Sequence, residues 1–140
     1  MGCVFCAIAR GEAPAEIVYE DEQTLAFLDA NPATPGHTLV IPRKHVRNIY
    51  DLDDETAGAV MRTAIHVARG IRDALHPEGL NLLQANERAG FQSVFHFHFH
   101  LVPRWVGDGL RRPWLPQPGD PQAMAEVAAR IREVLFEAEE

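Results

Sequence analysis

The sequence predicts an α+β domain with a mainly antiparallel five-stranded sheet, a long central helix and a C-terminal helix. Three observations lead there: short β-rich runs follow one another as hairpins, one long amphipathic helix interrupts them, and no strand-helix alternation repeats along the chain. With 140 residues, 46% of them hydrophobic, the chain can bury one continuous core and is short for two, so a single domain over residues 1–140 is expected.

Each element has its own signal. Cys3 to Arg10 has helical potential and meets a stop at Gly11. Ile17 to Tyr19 and Thr24 to Leu28 read as a hairpin across the acidic turn Glu20-Asp21-Glu22. The prolines and glycine of residues 31–36 cannot continue a regular element, and they deliver the chain to a third strand, His37 to Ile41, stopped by Pro42. From Asp53 to Leu75 the residues Ala57, Val60, Met61, Ala64, Ala68, Ile71 and Leu75 recur at steps of three and four, an amphipathic helix. Asp53 and Asp54 suit its N-terminal end, and His76-Pro77 closes it. Leu80 to Ala85 is the fourth strand.

The fifth, Ser93 to Val102, alternates without a break. It sets Phe95, Phe97, Phe99 and Leu101 on one face and Val94, His96, His98, His100 and Val102 on the other. A proline-rich stretch from Pro103 to Pro121 carries Trp105, Arg111, Arg112 and Trp114, either as a surface loop or as an arm reaching the active site. Asp120-Pro121 then opens the last helix, whose apolar face is Met124, Val127, Ala128, Ile131, Val134 and Leu135.

Charge and composition narrow the function. With 13 Lys+Arg against 20 Asp+Glu the formal charge is −7, which argues against a general nucleic-acid surface. No apolar run approaches the roughly 20 residues of a membrane span, and no signal peptide opens the chain, so a cytoplasmic protein is expected. The 2 cysteines, Cys3 and Cys6, are too close for a framework disulfide and read as a metal half-site or a redox pair.

The chemistry concentrates in His96, His98 and His100. Residues two apart on a strand lie about 6.6 Å from each other on one face, so the three imidazoles form a row able to engage an extended ligand or a metal. Neutral imidazole is a good nucleophile near pH 7, and its phosphorus adduct hydrolyses readily. Asn86, Gln92 and Ser93, just upstream, carry donors suited to phosphate oxygens.

His96-Phe-His-Phe-His100-Leu-Val102 resembles the signature of the histidine triad (HIT) family. Cys3-Val-Phe-Cys6-Ala-Ile8, Leu25-Ala-Phe27-Leu-Asp29, the run from Pro35 through His37 to Pro42-Arg-Lys-His45, and Gln92-Ser93-Val-Phe-His96 agree in order and spacing with its bacterial members. The resemblance implies a homodimer that binds a purine nucleotide on the sheet. It implies His98 as the nucleophile, His100 orienting the phosphate and His37 supporting the row. Phe5, Ile8 and Phe27 would wall the base, Asp29 would accept from the ribose hydroxyls, and Asn86, Gln92 and Ser93 would hold the α-phosphate or leaving group.

The resemblance also implies a structural zinc on Cys3, Cys6, His45 and His96, a closed tetrahedral shell with no position for a catalytic water. One departure stands out: many family members have glycine beside the glutamine, where this chain has Phe91. The expected activity is hydrolysis or nucleotidyl transfer on a nucleoside phosphoramidate or (di)nucleoside polyphosphate through a nucleotidyl-histidine. A nucleotide-binding regulatory module with incidental hydrolysis is the alternative.

Overall fold

A computed structural model describes residues 2–112 and 114–139. Two compact units divide the chain, residues 1–110 and 111–140, and each is described by itself.

The first unit contains helix α1 (Val4–Ala9), strands β1 (Ile17–Glu20), β2 (Thr24–Leu28) and β3 (Thr38–Pro42), helix α2 (Asp54–Leu75), and strands β4 (Gly79–Leu83) and β5 (Phe99–Arg104). The sheet runs in the order β1-β2-β3-β5-β4, and every neighbouring pair is antiparallel. Two short 3-10 turns, Ile49–Asp51 and Arg88–Gly90, have no periodic signature in the sequence.

Helix α2 begins where its cap is. The Asp53 carboxylate accepts from the Thr56 N–H at 2.8 Å, satisfying a donor that the helix leaves free. It ends at His76, which turns left-handed (φ 52, ψ 49) and donates its N–H to the Arg72 carbonyl, with Pro77 blocking continuation. Its buried stripe includes Val60, Ala64, Val67 and Ile71, and packs on Ala26, Val40, Phe97 and Leu101. The buried face is turned from the expected one: Met61 and Leu75 are exposed, while Thr63 is buried. Thr63 tolerates that place because its hydroxyl meets the Thr24 hydroxyl at 2.6 Å.

Alternation along β2 and β3 sends the intervening residues the other way. Leu25, Phe27, Leu39 and Ile41 pack with Phe5 and Ile8 of α1. Thus α2 covers one face of the sheet, and α1 covers part of the other.

The strand expected over Ser93 to Val102 begins only at Phe99. Residues 94–96 bend, so His96 and His98 stand in the segment entering β5 and His100 alone lies within the strand. Pro42, the last residue of β3, has no N–H to extend the ladder. Its carbonyl accepts instead from His96 Nε2 at 2.7 Å, while Phe97 N–H donates to the Val46 carbonyl at 2.6 Å. The expected alternation of faces nevertheless holds from Phe97 onward: Phe97 and Leu101 enter the α2 core, and His98 and His100 face the opposite side, where a cavity lies.

In the second unit, α3 spans Pro121–Glu139. The Asp120 carboxylate caps it by accepting from Ala123 N–H at 2.9 Å, with Pro121 as first helical residue, as expected. No helix of the described residues is long and apolar enough to cross a membrane.

Candidate active site and metal centre

A cavity of about 910 Å³ opens on the α1 side of the sheet, lined among others by Phe5, Ile8, Phe27, Asp29, Ser93, His98 and His100. Seven of the expected site residues thus converge from α1, β2, β5 and the segment before β5. The apolar walls come from the α1 cluster; the polar groups come from the ends of β2 and from the histidine segment.

Backbone carbonyls and amides settle which nitrogen of each histidine carries a proton. His98 Nδ1 lies 2.8 Å from the His96 carbonyl, which can only accept, so Nδ1 is protonated and Nε2 keeps its lone pair. Phe5 packs edge-on against the same ring, centroids 5.0 Å apart and planes at 89°, fixing its plane. His37 Nδ1 accepts from Ala33 N–H at 3.0 Å, so the His37 proton is on Nε2. That N–H donates to His100 Nδ1 at 2.9 Å, leaving the His100 proton on Nε2.

Burial pushes His37 below its ordinary value, and the Asp29 carboxylate opposes this less strongly. The 3.5 Å approach of Asp29 to His37 Nε2 is therefore a contact between a carboxylate and a neutral ring, not an ion pair. Burial and the neighbouring His98 and His37 bring His100 down to about 4. His98 is lowered too, chiefly by burial, against its bond to the His96 carbonyl.

Behind the row, Cys3, Cys6, His45 and His96 bring four ligand atoms within 4.8 Å of one another. Cys3 Sγ and Cys6 Sγ stand 3.4 and 3.5 Å from His96 Nδ1, and Cys6 Sγ stands 3.4 Å from His45 Nδ1. Those separations equal the edge of about 3.5 Å that a zinc tetrahedron has with sulfur at about 2.3 Å and nitrogen at about 2.0 Å. The donor set fits zinc in chemistry as well. His96 gives its Nε2–H to the Pro42 carbonyl, so its Nδ1 lone pair faces the thiols. Burial and the adjacent Cys3 push the Cys6 thiol up, a cost that a bound dication reverses.

Two expected residues stand elsewhere. Gln92 is buried, and its amide is fully engaged: Oε1 accepts from Glu87 N–H, Nε2 donates to the carbonyls of Arg47 and Val94. The Asn86 amide caps Ile49 N–H and pairs with Gln84. Neither lines the cavity; both shape the loop that presents Ser93. Sequence reasoning missed the Ala33 amide and the Pro42 carbonyl, since backbone groups leave no trace in residue type. It also missed Arg47 and Glu87, which pair at 2.7 Å across 40 residues of chain.

An antiparallel sheet that sets successive histidines against an apolar cavity, with a two-cysteine, two-histidine cluster behind them, is the architecture of a histidine triad protein. The HIT domain family profile matches residues 10–106, and the chain belongs to this family. It is 43% identical over 132 residues to "Protein hit" of Bacillus subtilis, covering 92% of this chain and 91% of that one. It is 34% identical over 132 residues to "Adenosine 5'-monophosphoramidase hnt1" of Schizosaccharomyces pombe, covering 94% and 96%. Among solved structures, a HIT family member from Bacillus subtilis superposes with TM-score 0.89 at 40% identity, over 95% of this chain and 96% of that one. A zinc-bound histidine triad family protein from Mycobacterium smegmatis does so with TM-score 0.75 at 40% identity, over 99% and 98%.

Proposed function

We propose that this chain is a nucleotide hydrolase that cleaves a nucleoside phosphoramidate or a (di)nucleoside polyphosphate through a nucleotidyl-His98 intermediate. The observation that carries the reading is the His98 ring, whose Nδ1 is held by the His96 carbonyl so that Nε2 is left free, and which lines the cavity of about 910 Å³. The name of the Schizosaccharomyces pombe relative supports the phosphoramidate end of this range.

Phe5, Ile8 and Phe27 take the purine base, and Asp29 accepts from the ribose hydroxyls. His98 Nε2 attacks the α-phosphorus: an N–P bond forms, the bond to the leaving group breaks, and the leaving group departs with the electron pair and takes a proton from water. His100 Nε2–H and the Ser93 hydroxyl donate to the non-bridging oxygens as charge grows there. Water then attacks phosphorus, the N–P bond breaks, its electron pair returns to Nε2, and a proton goes to solvent with the nucleoside monophosphate. Asn86 and Gln92 hold the phosphate loop in shape.

Cys3, Cys6, His45 and His96 hold a structural zinc, supported by the donor geometry and by the zinc-bound relative. When bound it supplies a cross-link between α1 and the histidine segment. The molecule works as a homodimer in the cytoplasm. In favour of pairing, β4 is an edge strand whose Leu80, Leu82 and Leu83 are all exposed, a surface that calls for a partner.

The test is turnover of adenosine 5'-monophosphoramidate by wild type and His98→Ala, with AMP binding measured by calorimetry. Wild type turns over and the variant does not, while both bind AMP. Equal rates remove the role of His98; a wild type no faster than background on phosphoramidate and dinucleoside polyphosphate alike leaves a binding module.

A further inference from the structure

The loop between β4 and the histidine segment holds a residue in a conformation that its side chain should forbid. Glu87 sits at φ 63, ψ 168, a region occupied essentially by glycine alone. Phe91, four residues on, is also left-handed at φ 67. A non-glycine residue persists there only where its surroundings over-determine it.

At Glu87 they do. The carboxylate takes both arms of the Arg47 guanidinium, Nη2 at 2.7 Å and Nε at 3.0 Å, and the Asn48 amide at 2.6 Å. Its N–H donates to Gln92 Oε1 at 2.8 Å, and its carbonyl accepts from the N–H groups of Gly90 and Gln92, both at 3.1 Å. Arg47 is itself held with its guanidinium carbon 4.4 Å from the centroid of the Phe95 ring. Asn48 is fully buried, so the pin is anchored in the body of the fold. The next residue after Gln92 is Ser93, which lines the same cavity as His98.

We propose that Glu87 is a positioning residue for the reaction: its carboxylate, clamped by Arg47 and Asn48, holds the strained 86–93 loop so that Ser93 meets the phosphate undergoing attack. The inference rests on the proposed hydrolase reading. Bidentate pairing of a planar guanidinium with a carboxylate fixes orientation as well as distance, which a glycine at this position could not supply. A glycine would make the backbone conformation free of strain and leave the loop free to leave it.

That difference makes the proposal testable. In Glu87→Gly the backbone strain and the pin are removed together; in Glu87→Ala the pin is removed and the strain kept. With adenosine 5'-monophosphoramidate as substrate and AMP as ligand, kcat falls on the order of ten- to a hundredfold in both variants, while KM and AMP affinity stay within about twofold. Glu87→Gly melts at or above the temperature of Glu87→Ala. Arg47→Ala gives a similar loss of kcat, and Arg47→Ala with Glu87→Gly loses no more than either alone.

Wild-type kcat in Glu87→Gly overturns the proposal. So does a loss of kcat that is matched by lost AMP binding and lost melting temperature in both variants, because a merely structural role predicts that pattern. His98→Ala, assayed alongside, separates the two readings: an inactive His98→Ala with a fully active Glu87→Gly sinks the loop pin alone, and an active His98→Ala sinks the hydrolase mechanism beneath it.

Discussion

His37 Nε2 stands 2.9 Å from His100 Nδ1, and because the Ala33 amide occupies the other His37 nitrogen, the proton in this contact belongs to His37. The choice of His100 tautomer is thus made five residues ahead of β3, at Ala33 in the proline-rich turn. Gly36 keeps that turn tight: it sits at φ 88, and a Cβ there would run into Leu75 and Pro103.

Replacing His37 by Phe keeps the apolar bulk and deletes the donor. His100 then redistributes its proton between its two nitrogens, and kcat falls on the order of ten- to a hundredfold, the usual cost of losing a partner that orients a functional histidine. Nitrogen chemical shifts of His100 in wild type and His37→Phe check this directly. A His100 that keeps its proton on Nε2 in the variant refutes the assignment.

His100 also makes stability depend on pH with a defined sign. Its folded value is about 4, against about 6.5 in an unfolded chain. Between those values the unfolded chain binds the proton and the folded one does not, so stability rises with pH. The contribution is complete above about 6.5 and is lost as pH falls toward the folded value. His37, His98 and Asp29 face this ring. His100→Gln should therefore show a shallower fall in melting temperature than wild type over that window. Parallel curves would show that the ring does not titrate as described.

Zinc analysis tests the cluster. Wild type should carry one tightly held zinc per chain, and Cys3→Ser with Cys6→Ser should carry none. The same double variant, or chelator treatment, should lower the melting temperature by at least several degrees and raise amide exchange across α1. The site would feel this through Phe5, which lies between the two cysteines and packs edge-on against His98. Retention of one zinc by the double variant would place the metal elsewhere.

Much of the fold could be read from residue order because its signals are local. The cap at Asp53 and the stop at His76-Pro77 bounded α2 almost to the residue, and Asp120-Pro121 marked the start of α3. The phase of α2 is not written in residue type alone. Thr63 counts as polar in any periodicity, yet it is buried because Thr24, 39 residues away, completes its hydrogen bonding. The strand begins at Phe99 and not at Ser93 for a related reason: alternation describes the faces of an extended chain, but a partner's N–H groups decide where the ladder runs, and Pro42 offers none.

The sequence by itself determined which chemical groups this protein brings to its site: the three alternating histidines, the Cys3 and Cys6 pair, and the apolar residues that wall the cavity, each written in local spacing. Only the tertiary structure decided the proton positions on those histidines, the reunion of Cys3 and Cys6 with His45 and His96, and the capture of Glu87 by Arg47. Each of these depends on backbone carbonyls, amides or side chains distant in the chain. Hydrogen bonds and ligand shells act over about 3 Å in space and are indifferent to separation in sequence.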